Sequence, residues 1–433
     1  MKHRVSIFRV FFLMVILAWA IIFFSHSFIL AQEGGGQAEP KLSEAKVDLD
    51  KLRQKAESGD VEAQLSLGLA YDLGDGVAED KAEAAKWYRK AAERGNAEAQ
   101  ISLAIAYKSG EGVEKNLAEF INWLNRAADQ GEPVALYFLG LAYDDGLGVP
   151  QDHVEACKMY QKGAEKGHAP SMHNLGVSYK IGEGVEQNYE TALHWFRQAA
   201  AKDYAAAMAD LGVAYKLGQG VPIDLGISFD WFRKGAELGH AGSQYSLGVA
   251  YDYGDGVPVD KTEALKWYHK AAEQGQVNAQ FNLAVTYSQG DGVEKDRDEA
   301  LKWYLKAAEQ GHADAQYNIA LAYDLGDGVS VDKAQAFKWY KKAAENGSLN
   351  AQFNLAVSYD QGDGVPVNKT EAIKWYQRAA IKGQPYAQYN LGLTYYNGDG
   401  LPANKTEGLK WIRKAAENGS DEAKESLKKL GYK

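Results

Sequence analysis

A single cysteine, Cys157, stands among 433 residues, so the chain forms no internal disulfide and a disulfide-stapled scaffold is excluded. That cysteine falls inside a helical pattern at a position filled elsewhere by apolar residues, which predicts an inert core thiol. Basic excess is also missing. The formal net charge is −10, and without Lys2, Arg4 and Arg9, the basic residues of the first 31, it is −13. No basic stripe tracks the sequence, as a phosphate-following protein requires, and nucleic acid is not an expected partner. The chain has no G-x-S-x-G, no H-E-x-x-H and no P-loop, so no cofactor and no metal are expected.

One segment departs from the rest. In residues 1–31, Lys2, His3, Arg4 and Arg9 precede an apolar run from Val10 to Phe24, and Ala31 ends the stretch. A basic start, an apolar middle and a small residue at the end describe a secretory signal. An uncleaved anchor is the alternative, weakened by Ser25, His26 and Ser27. Either reading sends the rest of the chain out of the cytoplasm, and the membrane is met only through this segment. Residues 32–44, with Gly34, Gly35, Gly36 and Pro40, read as a flexible linker.

What the remainder does have is a period. The motif G-x-G-V begins at Gly74 and recurs every 36 residues to Gly398, ten times without insertion, with Leu401 alone replacing Val. Each unit reads as two helices. In the first, helix A runs roughly from Val61 to Asp72, with Ala63, Leu67 and Tyr71 spaced to form one stripe. Tyr recurs at the last of these positions in all ten units, and the residue after the Leu is always Gly or Ala. Helix B carries Trp at one fixed position in nine of ten copies, Met159 being the exception, and these rings are expected to be core. Asp or Asn precedes every helix B, from Asp80 to Asn404, with Glu or Gln three residues later in eight copies, a capping-box pattern. Gly closes helix B in nine units, and Asp203 takes its place once. Half-units flank the array: residues 45–59 match the end of helix B and 420–433 match helix A, as capping helices.

The loop Asp252-Tyr253-Gly254-Asp255-Gly256, with Glu263 twelfth, superficially suggests calcium, but its third and fifth positions are glycine rather than Asp or Asn. His168, His240 and His312 recur two units apart near the start of helix A, too far apart to share a metal, and are expected to be solvated cap-region residues.

A unit of the form A-x-x-x-L-G-x-x-Y-x-x-G-x-G-V, followed by Asp and K-W-Y-x-K-A-A-E-x-G, resembles the Sel1-like repeat, a relative of the tetratricopeptide repeat. The resemblance covers residues 60–419. It implies an all-α superhelical solenoid of ten helix-turn-helix units, and members that act as adaptors for protein partners. The cysteine-rich branch of that family has no counterpart here.

Framework positions repeat, so specificity is expected where the sequence varies, on the concave helix-A surface. Asn282, Asn318, Asn354 and Asn390 occupy one such position, with Tyr245, Phe281, Tyr317, Phe353 and Tyr389 at the one before it. A ladder of amides can hydrogen-bond an extended peptide, and aromatic rings add contact area. The reading is therefore an exported, non-catalytic scaffold that binds protein or peptide; the alternative is an envelope enzyme or glycan-binding protein on the same solenoid. Units 132–239 diverge, with Phe138, Met159, Asp203, Met208 and Phe229 breaking the pattern, as a second contact surface or as drift.

Overall fold

A computed structural model describes residues 49–432. The leader, the linker and the first residues of the N-terminal cap lie outside the described residues. Among those described there are 22 helices and no strand. A single helix, Leu49–Ser58, opens the array and another, Asp421–Lys429, closes it. Between them lie ten pairs, each an A helix and a B helix, from Val61–Leu73 with Lys81–Glu93 to Pro385–Asn397 with Lys405–Glu417.

Local chemistry sets the ends. Asp80, Asp260 and Asn404 each accept backbone N–H groups at the start of helix B, caps worth about 1 kcal/mol apiece. Helix A stops at the first loop glycine, which takes the left-handed conformation, as Gly254 does at φ 80°. Asp203 is the one non-glycine described residue with positive φ, at 57°, where every other unit has glycine.

The second loop glycine has a different cause. At Gly256 an added Cβ would lie 2.1 Å from the carbonyl oxygen of Leu225, because each loop rests on the start of the preceding helix B. The stripe behaves as expected: Leu211, Leu247, Leu283 and Leu355 are fully buried. The small residue beside it admits a ring, since a Cβ on Gly248 would sit 2.6 Å from Tyr268.

Buried glutamines, unnoticed in the repeat pattern, bind layer to layer. Gln100, Gln244, Gln280 and Gln388 each donate to the carbonyl eight residues earlier, at the end of the preceding helix B, over 2.9–3.3 Å. Their own oxygens accept from Gln130, Gln274, Gln310 and Asn418. In the divergent units the position is apolar instead: Leu136, Met172 and Met208.

The helix-B tryptophans all pack in or against the core, as expected, though not equally deeply. Of the nine helix-B tryptophans, Trp87, Trp123, Trp303 and Trp375 are buried and the other five are half-buried. In all but Trp195, which Gln198 follows, a cation three residues on lies over the ring, such as Lys306 over Trp303 at 3.8 Å and Lys270 over Trp267 at 4.0 Å. The three histidines do stand at the caps of helix A, but they are not solvated. They are half-buried N-caps of helix A: Nδ1 of His240 accepts the backbone N–H of Ser243, and that of His312 accepts from Ala315.

Candidate protein-binding face

Helix A turns one stripe into the core, and its opposite side carries the positions expected to bind. Tyr245, Phe281, Tyr317, Phe353 and Tyr389 are all half-buried. The first four lean on the helix-B ring of their own unit, with centroid distances of 6.1, 5.9, 6.0 and 6.1 Å to Tyr268, Tyr304, Tyr340 and Tyr376. Burial pushes the Tyr245 and Tyr317 hydroxyls above their ordinary value, so both stay neutral donors.

The four asparagines are half-buried too, but they are not equivalent. Asn282 acts on the Tyr245 and Tyr268 hydroxyls of the preceding layer and Asn354 on those of Tyr317 and Tyr340, in each case opposing the upward push of burial. Asn390 donates to Tyr376 at 3.2 Å. Asn318 follows a layer with Phe281 and makes no side-chain hydrogen bond in the structure. A carboxamide offers two donors and an acceptor oxygen. Asn282, Asn318 and Asn354 therefore retain more free capacity than Asn390, which spends one donor on Tyr376.

Between the ring and the C-terminal end of each helix A runs a row the repeat pattern had not singled out. Val249, Val285, Leu321, Val357 and Leu393 are half-exposed, one per layer, at the fifth position from the aromatic, counting inclusively. Their signal in the sequence was plain, an aliphatic residue at the same phase in every unit. It was overlooked because it falls just outside the buried stripe.

A second unexpected feature fixes the two helices of a unit. Tyr88, Tyr160, Tyr268 and Tyr340 donate to Asp72, Asp144, Asp252 and Asp324 at 3.1, 2.7, 3.0 and 3.0 Å. The loop resembling a calcium site thus spends its first aspartate, Asp252, on Tyr268 and on Lys261. Among the described residues no three His, Cys, Asp or Glu side chains come together to hold a metal. Cys157 is buried, donates to the Glu183 carbonyl and has its thiol pushed upward by burial.

In the divergent block the network changes type. His173 takes the aromatic position and Asp210 the asparagine position of the next layer, joined at 2.8 Å. Lys180 binds the other carboxylate oxygen at 2.6 Å. Burial raises the Asp210 carboxyl, but these two donors outweigh it and hold it below the usual range. Where Met159 replaces Trp, a surface depression of about 300 Å³ opens beside Leu136, Leu139 and Lys162. It lies against helix B, away from the amide ladder.

With this geometry in hand, the class is settled. The Sel1 repeat family model matches ten consecutive segments, from residues 61–96 to 385–420, each displaced by one residue from the units read in the sequence. The chain belongs to the Sel1 repeat family. It is similar in structure to a protective antigen of uropathogenic Escherichia coli displaying an SLR fold: TM-score 0.68 and 37% identity, covering 89% of this chain and 84% of that one. A Sel1 repeat protein from Oxalobacter formigenes aligns at TM-score 0.50 and 32% identity over 56% of this chain and 96% of its own. In sequence, the secretory immunoglobulin A-binding protein EsiB of Escherichia coli O6:H1 is 47% identical over 45 residues, 10% of this chain. The aligned part is 9% of that protein's length. Among the described residues no helix is long and apolar enough to cross a membrane.

Proposed function

We propose that the chain is an exported, non-catalytic scaffold that holds a protein or peptide partner on the helix-A face of units 241–420. The observation that carries this reading is the alignment of three rows on one face. Half-exposed aromatics and half-exposed aliphatics repeat once per layer over five layers, and amides with unspent hydrogen-bonding capacity stand beside them in four, Ser246 taking the place in the first. An extended polypeptide presents backbone N–H and C=O groups and side chains at regular intervals, and these rows offer it amides and apolar contacts in the same order. One relative is named for binding an immunoglobulin, itself a protein, which fits this class of partner. Alanine at Asn282, Asn318, Asn354 and Asn390 together is expected to weaken a captured partner at least tenfold. Unchanged affinity removes these residues from the site. Export is tested separately: Edman sequencing of the mature chain should begin at Gln32, whereas an intact Met1 in a membrane fraction indicates the anchor.

A further inference from the structure

We infer that the segment held on the helix-A face of units 241–420 is net basic, carrying Lys or Arg among apolar residues. This rests on the proposal that the face binds a peptide, and it adds the chemistry of that peptide. The five A helices between Ala241 and Asn397 contain no Lys or Arg and four acids, Asp252, Asp314, Asp324 and Asp360. No cation on them can answer an acidic ligand.

The lysines that reach these acids come from the start of helix B, and they are too few. Lys261 lies 2.6 Å from Asp252 and 2.8 Å from Asp291, the loop acid of the next layer. Lys369 lies 2.6 Å from Asp360 and 2.9 Å from Asp399 in the same way. Each of these ammoniums is shared by two carboxylates, which leaves one negative charge unbalanced at each of these two places on the margin of the face, whereas Arg297 is matched one to one by Asp327. The paired carboxylates push both lysines up to about 12, so each is fully charged and the surplus stands after counting it. Lys333 repeats the arrangement, binding Asp324 at 2.5 Å within the field of Asp363. The loop members of the sets remain accessible, with the Asp291 and Asp399 side chains 47% and 52% exposed.

Two rows on one ligand follow. Apolar residues meet Val285, Leu321 and Val357, and cationic residues along one edge of the ligand meet Asp291, Asp363 and Asp399. Opposite charges at a partly exposed margin steer association and discriminate between partners, and salt screens them.

The test is selection of random 12-residue displayed peptides on the immobilised full chain. Selected peptides are expected to contain Lys plus Arg at least twofold over Asp plus Glu, relative to the unselected library. Their affinity should fall about tenfold in the Asp291→Asn, Asp363→Asn, Asp399→Asn variant at 20 mM salt, with the gap closing at 0.5 M salt. Selected peptides that are acidic or unbiased, yet weakened by alanine at the four asparagines, overturn this inference and leave the face in place. Peptides of any charge that bind the four-asparagine variant undiminished overturn the face itself, and this inference with it.

Discussion

Tyr268 donates its hydroxyl to Asp252 at 3.0 Å, and the same bond recurs at Asp72, Asp144 and Asp324. Asp72, Asp144, Asp324 and Asp360 each face a tyrosine, whereas Lys108, Lys180 and Lys216 face Leu124, Phe196 and Phe232, which have no hydroxyl. The two positions vary together because a buried hydroxyl needs an acceptor and an apolar ring does not. Tyr268→Phe is expected to lower stability by about 1–2 kcal/mol, since a hydrogen bond to a charged, mostly buried carboxylate is lost. Tyr304→Phe, opposite Ser288, should cost less. Urea midpoints of the two variants measured side by side decide this.

The two kinds of glycine should respond differently to alanine. Gly275 has φ 86° with nothing near its Cβ, so Gly275→Ala carries only the left-handed penalty, about 1 kcal/mol. Gly256 has φ 77° and also faces the Leu225 carbonyl, so Gly256→Ala should cost about 3 kcal/mol and separate adjacent layers. Conversely, Asp203→Gly should raise stability by about 0.5–1 kcal/mol. Thermal melts on the three variants give the order, and equal losses for the two alanines would remove the inter-layer contact from the explanation.

Acid should loosen the middle of the solenoid. Burial lowers His168 to about 4, well under its ordinary 6.5, so the folded state holds it neutral. Nδ1 of that neutral ring lies 2.9 Å from the Ser171 hydroxyl at the start of helix A. A base with a depressed pKa contributes full stability above pH 6.5 and loses it progressively as the pH falls toward 4. His240 and His312 are lowered by burial in the same direction. His168→Asn keeps a polar cap, as Asn96 provides in its own unit, and removes the titration. Its urea midpoint should fall less than that of the parent between pH 7 and 4.5, and an identical pH profile would exclude His168 as a cause.

The asparagines should divide into two classes. Asn390 donates to Tyr376, so alanine there is expected to cost about 1 kcal/mol of stability as well as affinity. Asn318→Ala should leave the melting temperature unchanged and reduce affinity alone. Melts and peptide titrations of the single variants separate these effects, and a large stability loss at Asn318 would reassign it to the framework.

The period, the helix ends and the buried Leu stripe were legible because each repeats ten times and answers a local need. The positive φ at Asp203, for instance, was read from one missing glycine. The Asp252–Tyr268 pair was equally present in the sequence, but it joins residues 16 apart on two helices, so a pattern taken one helix at a time passes over it. The glutamine clamp at Gln244 eluded the reading for a different reason: a polar residue beside the buried stripe reads as surface until the carbonyl of Ala236 is placed opposite it. Of the binding face, the aromatic and asparagine positions were readable, while the bond that sets Asn390 apart from Asn318 shows only once the Tyr376 hydroxyl is placed beside it.

The central claim is that a partner lies on helix A of units 241–420 and not on helix B. Benzoylphenylalanine installed in place of Asn318, on helix A, or of Lys338, exposed on helix B, reads this directly when the chain is irradiated with a peptide selected on it. The account predicts a cross-link from the Asn318 position and none above background from Lys338. A cross-link from Lys338 alone would contradict it.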